Sequence, residues 1–162
     1  MRLKKWLFVF VLPLIFLLSG CLGDPVQDDL VNYVNHEMKD AGKLESSAVS
    51  AYESVTGANY QDDQQLYDVL LNEVIPTYSE FVRELDSVNI ETDEVKKIHE
   101  IYIQGADIQF NAFAKIKQAL EEQNAGLVQE ANDMLADARK HIRDYKNKLT
   151  KLAKEHDVKL EK

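Results

Sequence analysis

"ANDMLADARKHIRDYKNKLTKL", Ala131–Leu152, decides the fold. Its apolar stripe is Ala131, Leu135, Ala138, Ile142, Tyr145, Leu149 and Leu152, separated by alternating steps of four and three. That spacing returns to one face of an α-helix and to no face of a strand. Apart from Met134 and Ala136, the remaining positions are charged or polar, so one stripe faces a core and the rest faces water. Lysines gather toward its end, where cations favour a helix C-terminus.

The same period recurs upstream. Leu30, Val34, Ala41, Leu44, Ala48, Ala51 and Val55 mark a first helix of about thirty residues. Glu37 occupies the one slot where its stripe calls for an apolar residue, and Gly57 is placed as its C′ residue. A second helix starts near Asp62 or Asp63 and carries Leu66, Leu70, Val74, Tyr78, Phe81, Leu85 and Val88. Pro76 lies within it and either kinks it or splits it in two near Val74. Thr92 is a good N-cap for a third helix, with Asp93 and Glu94 in its first turn. That helix runs to about Gln123 and is apolar nearly all round, with Gly105, Ala106, Ala112 and Ala114 allowing close approach. "EQNAGL" is the last turn signal, and "EHDVKLEK" at the end is expected to fray. With only 6 Gly and 3 Pro in 162 residues, long helices on short connections are favoured over a turn-rich β fold. The fold expected is all-α: an antiparallel up-down four-helix bundle with long helices, following an N-terminal signal segment.

The N-terminus reads differently. "MRLKK" is a short basic region, and "WLFVFVLPLIFLL", Trp6–Leu18, is an uncharged apolar run of signal-peptide length rather than spanning length. Next comes Leu18-Ser19-Gly20-Cys21, which resembles the lipobox of bacterial lipoproteins. The resemblance implies that Cys21, the only cysteine, takes a diacylglyceryl group on sulfur. A peptidase recognising Leu18, Ser19 and Gly20 then cuts before it, and a fatty acyl chain such as palmitate joins the new amino group. Small residues suit an extended backbone entering a protease cleft, and a thiolate is a strong nucleophile. Two or more acyl chains give stable anchoring where one is marginal. The expected organisation is a signal peptide over 1–20, a lipidated N-terminus and minimal tether over 21–23, the bundle over 24–157 and a polar tail over 158–162. Asp24 reads as an N-cap with Pro25 at the first helical position, so the tether is almost absent.

"VIPTYSEFVREL", "VKKIHEIYIQGADIQFNAFAKIKQAL" and "ANDMLADARKHI" resemble the helical domains of small uncharacterised lipoproteins of Gram-positive, Bacillus-type bacteria. The resemblance spans roughly 30–157. It implies a helical fold and a surface location, without an assigned activity.

Little in the chain carries chemistry. After Cys21 there are 16 basic and 28 acidic residues, a balance expected to repel nucleic acid and anionic lipid headgroups. A di-iron bundle site needs Glu-x-x-His pairs, and no Glu stands three residues before any of His36, His99, His141 or His156. The pairs His36/Asp40 and Asp137/His141 flank their stripes, which favours solvated histidines over a metal site. No phosphate loop, nucleophile elbow or zinc-protease motif is present. No catalytic residue, metal or cofactor is therefore assigned. Ile103, Phe110 and Phe113 on the broad face of the third helix are the candidate partner or ligand surface. The function expected is a lipid-anchored, non-catalytic interaction or structural module at the outer face of the cytoplasmic membrane. Its partner would be another protein at the cell surface, with a homo-oligomer also open. The alternative is a bundle that binds or senses an apolar ligand.

Overall fold

The computed structural model describes residues 23–160, and the described residues are helical with short connections and no strand. Helix α1 spans 25–53, α2 spans 63–87, α3 is Asp93–Glu122 and α4 is Ala125–Glu155. Each start has a local cause. Asp24 is extended, and its carboxylate accepts from the Val26 and Gln27 amides at 3.0 and 3.3 Å, with Pro25 directly behind it. Asp62 accepts from the Gln65 amide at 2.8 Å, and Asn124 from the Gly126 amide at 3.0 Å.

Two helices are interrupted. In α1 the α-helical Pro25–Asn32 and Met38–Glu53 are joined by a π segment, Tyr33–Glu37. In α2 the π segment Leu70–Val74 separates Asp63–Val69 from Ile75–Ser87. Each widens one turn without ending the helix. The first accounts for Glu37. The buried position after Leu30 is Tyr33, and the apolar stripe resumes at Met38 and Ala41, one residue late. The second sits directly before Pro76, which cannot donate to Asn72 and whose ring would clash with that carbonyl in a regular turn. The helix stays continuous because the wide turn absorbs the proline.

The ends of α1 and α4 depart from expectation. Helix α1 stops at Glu53, and Gly57, at φ 59°, belongs to the 3-10 turn Gly57–Asn59 rather than to the cap. The segment after α4, expected to fray, folds back instead. Asp157 takes φ 54°, the Val158 amide donates to the Ala153 carbonyl at 2.7 Å, and Val158 and Leu160 pack against the core. This is a Schellman-type stop with aspartate where glycine is usual.

The core is rich in aromatics. Tyr33, Tyr78, Phe81 and Phe113 are fully buried with Leu30, Leu70, Val74, Leu85 and Val95. The rings of Tyr78 and Phe113 meet edge to face at 5.2 Å, and those of Tyr52 and Phe113 lie 4.8 Å apart. The most extensive helix pair is α3 with α4. Tyr102 stacks on Tyr145 at 4.3 Å, Gly105 faces Ala138–Ile142, and Lys115 pairs with Glu130. Contacts that advance along α3 retreat along α4, so the two run in opposite directions.

Candidate functional site

The lipobox residues Leu18, Ser19, Gly20 and Cys21 lie outside the described residues. What is described begins two residues further on, at Gly23, and is held firmly. Asp24 Oδ2 lies 2.5 Å from His156 Nδ1, and the Gln27 side-chain amide donates to the His156 carbonyl at 2.7 Å. The histidine beside it holds the Asp24 carboxyl below the usual carboxylate range. The foot of α1 is thus clasped to the end of α4.

The candidate surface on α3 divides. Phe113 has no exposure and packs against Tyr52 and Tyr78, so it is a core residue. Burying such a ring contributes about 1.5–3 kcal/mol, which explains why the face of α3 is so broad: it meets α1, α2 and α4 at once. Phe110 and Ile103 are half-buried against the same core. Ile103 borders a shallow cleft of about 350 Å³ that is also lined by His99, Leu85 and Ile90. Exposed large apolar side chains among the described residues are Val31, Tyr60, Leu71 and Val128, on four separate segments.

The structure assembles a polar cluster that the sequence pattern does not announce. His99, 5% exposed, has Nε2 2.9 Å from the Leu85 carbonyl and Nδ1 3.0 Å from the Tyr33 hydroxyl. A carbonyl only accepts, so Nε2 carries the proton and Nδ1 accepts from Tyr33. The Tyr33 proton is then committed, and the Tyr145 hydroxyl at 3.2 Å donates to Tyr33. Tyr145 stacks on Tyr102, whose hydroxyl donates to Glu45 at 2.7 Å. All four helices contribute. The Leu85 carbonyl lies in the last turn of α2 and also accepts from the Val88 amide at 3.3 Å, so His99 adds a second bond at that helix end. A signal was available: His99 stands four after Val95 and three before Tyr102, on the buried stripe itself.

Burial pushes the phenols of Tyr33, Tyr102 and Tyr145 above their ordinary value and His99 below its own. At neutral pH the chain of hydroxyls and imidazole is uncharged and internally satisfied. It holds protons in place and offers no free base. A second buried polar device lies at the same end. Asp29, 3% exposed, accepts from the Thr92 amide at 2.8 Å, the Thr92 hydroxyl at 2.5 Å and the Glu91 amide at 3.2 Å. Thr92 stands at the cap position of α3, yet its hydroxyl makes no capping bond. The aspartate of α1 instead fixes the two amides that lead into α3, Glu91 and Thr92, from across the fold.

The two histidine–carboxylate pairs are local. His141 lies 3.7 Å from the Asp137 carboxylate, one helical turn away, and His36 is exposed. Among the described residues, no three His, Cys, Asp or Glu side chains are grouped as a metal site, and no helix is long and apolar enough to cross a membrane.

An all-helical domain with a sealed interior, joined by two residues to a lipobox-like cysteine, defines a class: a helical lipoprotein domain. The chain belongs to the family described as EMYY-motif containing lipoprotein, whose model matches residues 3–162. It is a bacterial lipoprotein, and that membership points to a membrane-anchored place at the cell surface. The tetrapeptide in the family's description is absent here, because the one Glu-Met pair, Glu37-Met38, is followed by Lys39-Asp40. Neither the curated proteins nor the solved structures give a match.

Proposed function

We propose that this lipoprotein is anchored through lipid on Cys21 at the outer face of the cytoplasmic membrane. It serves there as a non-catalytic interaction or structural module, an up-down-up-down four-helix bundle. The observation carrying this reading is the spacing between the lipobox and the fold. Only Leu22 and Gly23 separate Cys21 from the Asp24 cap, so the folded domain starts within about 11 Å of the lipid. The contact pairs support the topology. From α1 to α3 they rise together, Asp29 with Thr92, Tyr33 with His99 and Tyr52 with Phe113. From α2 to α3 they oppose, Leu85 with His99, Phe81 with Tyr102 and Tyr67 with Glu121. The neutral, satisfied tyrosine–histidine cluster supports a structural role for the most chemically capable side chains.

Cys21→Ser tests the anchor. Incorporation of labelled fatty acid into the protein should vanish and uncleaved precursor accumulate; labelling that survives the change refutes it. Photo-crosslinking in cells from Ile103 and from Phe110 tests the interaction role, and a discrete protein adduct from either position is expected. A second reading, apolar-ligand binding, is favoured by one observation. A half-open cleft of about 290 Å³ is walled by Val49, Tyr52, Phe113, Leu135 and Ile142, with Glu45 and Arg139 also lining it. That volume is at the small end for ligand pockets, about 300–1,000 Å³, which keeps this reading second.

A further inference from the structure

Net charge conceals a segregation. Residues 22–138 carry seven basic and twenty-four acidic side chains, whereas 139–160 carry eight basic and three acidic. Lys140, Arg143, Lys151 and Lys154 fall at helical spacing on one face of α4, with Asn147 between them, and all five are exposed. Lys146 and Lys148 flank the line. Elsewhere Lys43, Lys115 and Lys117 each sit within 2.7 Å of a carboxylate, while Lys39, Lys96 and Lys97 stand among a majority of acidic side chains. Along this face Lys151 pairs with Glu155 at 3.7 Å, and among the described residues Lys140, Arg143, Lys146, Lys148 and Lys154 have no carboxylate within ion-pair distance. The acidic bulk of the chain is what predicts repulsion from anionic lipid; this face has the opposite sign.

We infer that the outer face of the C-terminal half of α4 is a docking surface for anionic phospholipid headgroups, and that the domain reclines on it. The inference rests on the lipid anchor at Cys21. The clasp between Asp24 and His156 puts that anchor at the foot of the basic line. From Lys154 to Lys140 is fourteen residues, about 21 Å along the helix. The Debye length is about 8–10 Å, so an upright domain would leave Lys140 and Arg143 beyond reach of the surface, while a reclining one engages the whole line. Standing on end would also press Asp28 of α1, Asp86 of α2 and Asp93 and Glu94 of α3 toward like charge, since all four are exposed at that end. Reclining on α4 turns them away. The lipid and the basic line then act as the two signals that stable membrane attachment requires.

The test uses the full lipidated chain. With Cys21 bound to lipid, Asn147→Cys on the basic face and Asn72→Cys on α2 each introduce one free thiol for a fluorophore. The protein is reconstituted in vesicles of phosphatidylglycerol with phosphatidylcholine, or of phosphatidylcholine alone, doped with a headgroup quencher. Quenching of the Asn147 site is expected to exceed that of the Asn72 site several-fold on anionic vesicles. The excess should collapse on neutral vesicles, at about 1 M salt where the Debye length falls to ~3 Å, and in the variant Lys140→Glu, Arg143→Glu, Lys151→Glu, Lys154→Glu. Circular dichroism of that variant should match the parent, because all four positions are exposed. Flotation separates the two ideas. Protein that fails to float with vesicles refutes the anchor. Protein that floats with equal quenching at both sites, or with quenching insensitive to lipid charge, overturns the docking surface.

Discussion

The two halves of the molecule solve the same packing problem differently. Helices α3 and α4 are uninterrupted over 30 and 31 residues, and they meet through small residues. Helices α1 and α2 each contain a π segment, and α1 is tied to the rest by polar groups: Asp24, Asp29, Tyr33 and Glu45. A regular stripe needs only space for its partner. A stripe that slips phase leaves groups that must be bonded individually, so the first half is held by specific hydrogen bonds and the second by shape.

The largest effect should come from filling the close approach in the second half. A Cβ at Gly105 would stand 3.0 Å from the His141 Cβ and 3.2 Å from the Ile142 Cγ1. Gly105→Leu should destabilise by about 3 kcal/mol or more, read from urea unfolding. If it is tolerated, α3 and α4 are not held by shape. Next is Asp29→Ala, which strips acceptors from the Glu91 and Thr92 amides and should cost about 2–3 kcal/mol by the same assay.

Tyr33→Phe follows, at about 1–3 kcal/mol, since it leaves His99 Nδ1 and the Tyr145 hydroxyl without their partner. The pH dependence sharpens this case. Burial holds His99 below its ordinary value of about 6.5. Between the folded and the ordinary values the unfolded chain binds a proton that the folded chain does not. This contribution to stability is therefore intact above about pH 6.5 and is lost as pH falls below it. His99→Gln should flatten that decline in denaturation midpoints measured from pH 8 to pH 5; an unchanged decline would assign it to another group.

The smallest effect should have the opposite sign. The Tyr78 hydroxyl is buried with no bonding partner among the described residues, so Tyr78→Phe is expected to be neutral or to stabilise by up to about 1 kcal/mol in thermal unfolding. A clear loss would show that the interrupted half uses this hydroxyl as well.

Much of the fold was legible because helical periodicity is a property of local spacing. The starts at Asp24 and Asp62 and the turn at Gln123 follow from single residues. The π segments were visible only as a discord: Glu37 in an apolar slot, and Pro76 within an unbroken stripe. The buried cluster was harder to see, because partners 66 and 112 residues apart meet only after the helices pack. Phe113 shows the converse. The breadth of the apolar face of α3 reflects packing against the other three helices, and Phe113 lies within that packing.

The clasp of Asp24 and Gln27 on His156 has a mechanical consequence. Tension arriving through the lipid at Cys21 enters at the first turn of α1, where the last turn of α4 is already bonded. The load is shared by α1 and α4 from the outset. Peeling α1 away would require breaking that joint first. A specific restraint is thus placed where an anchored protein is pulled.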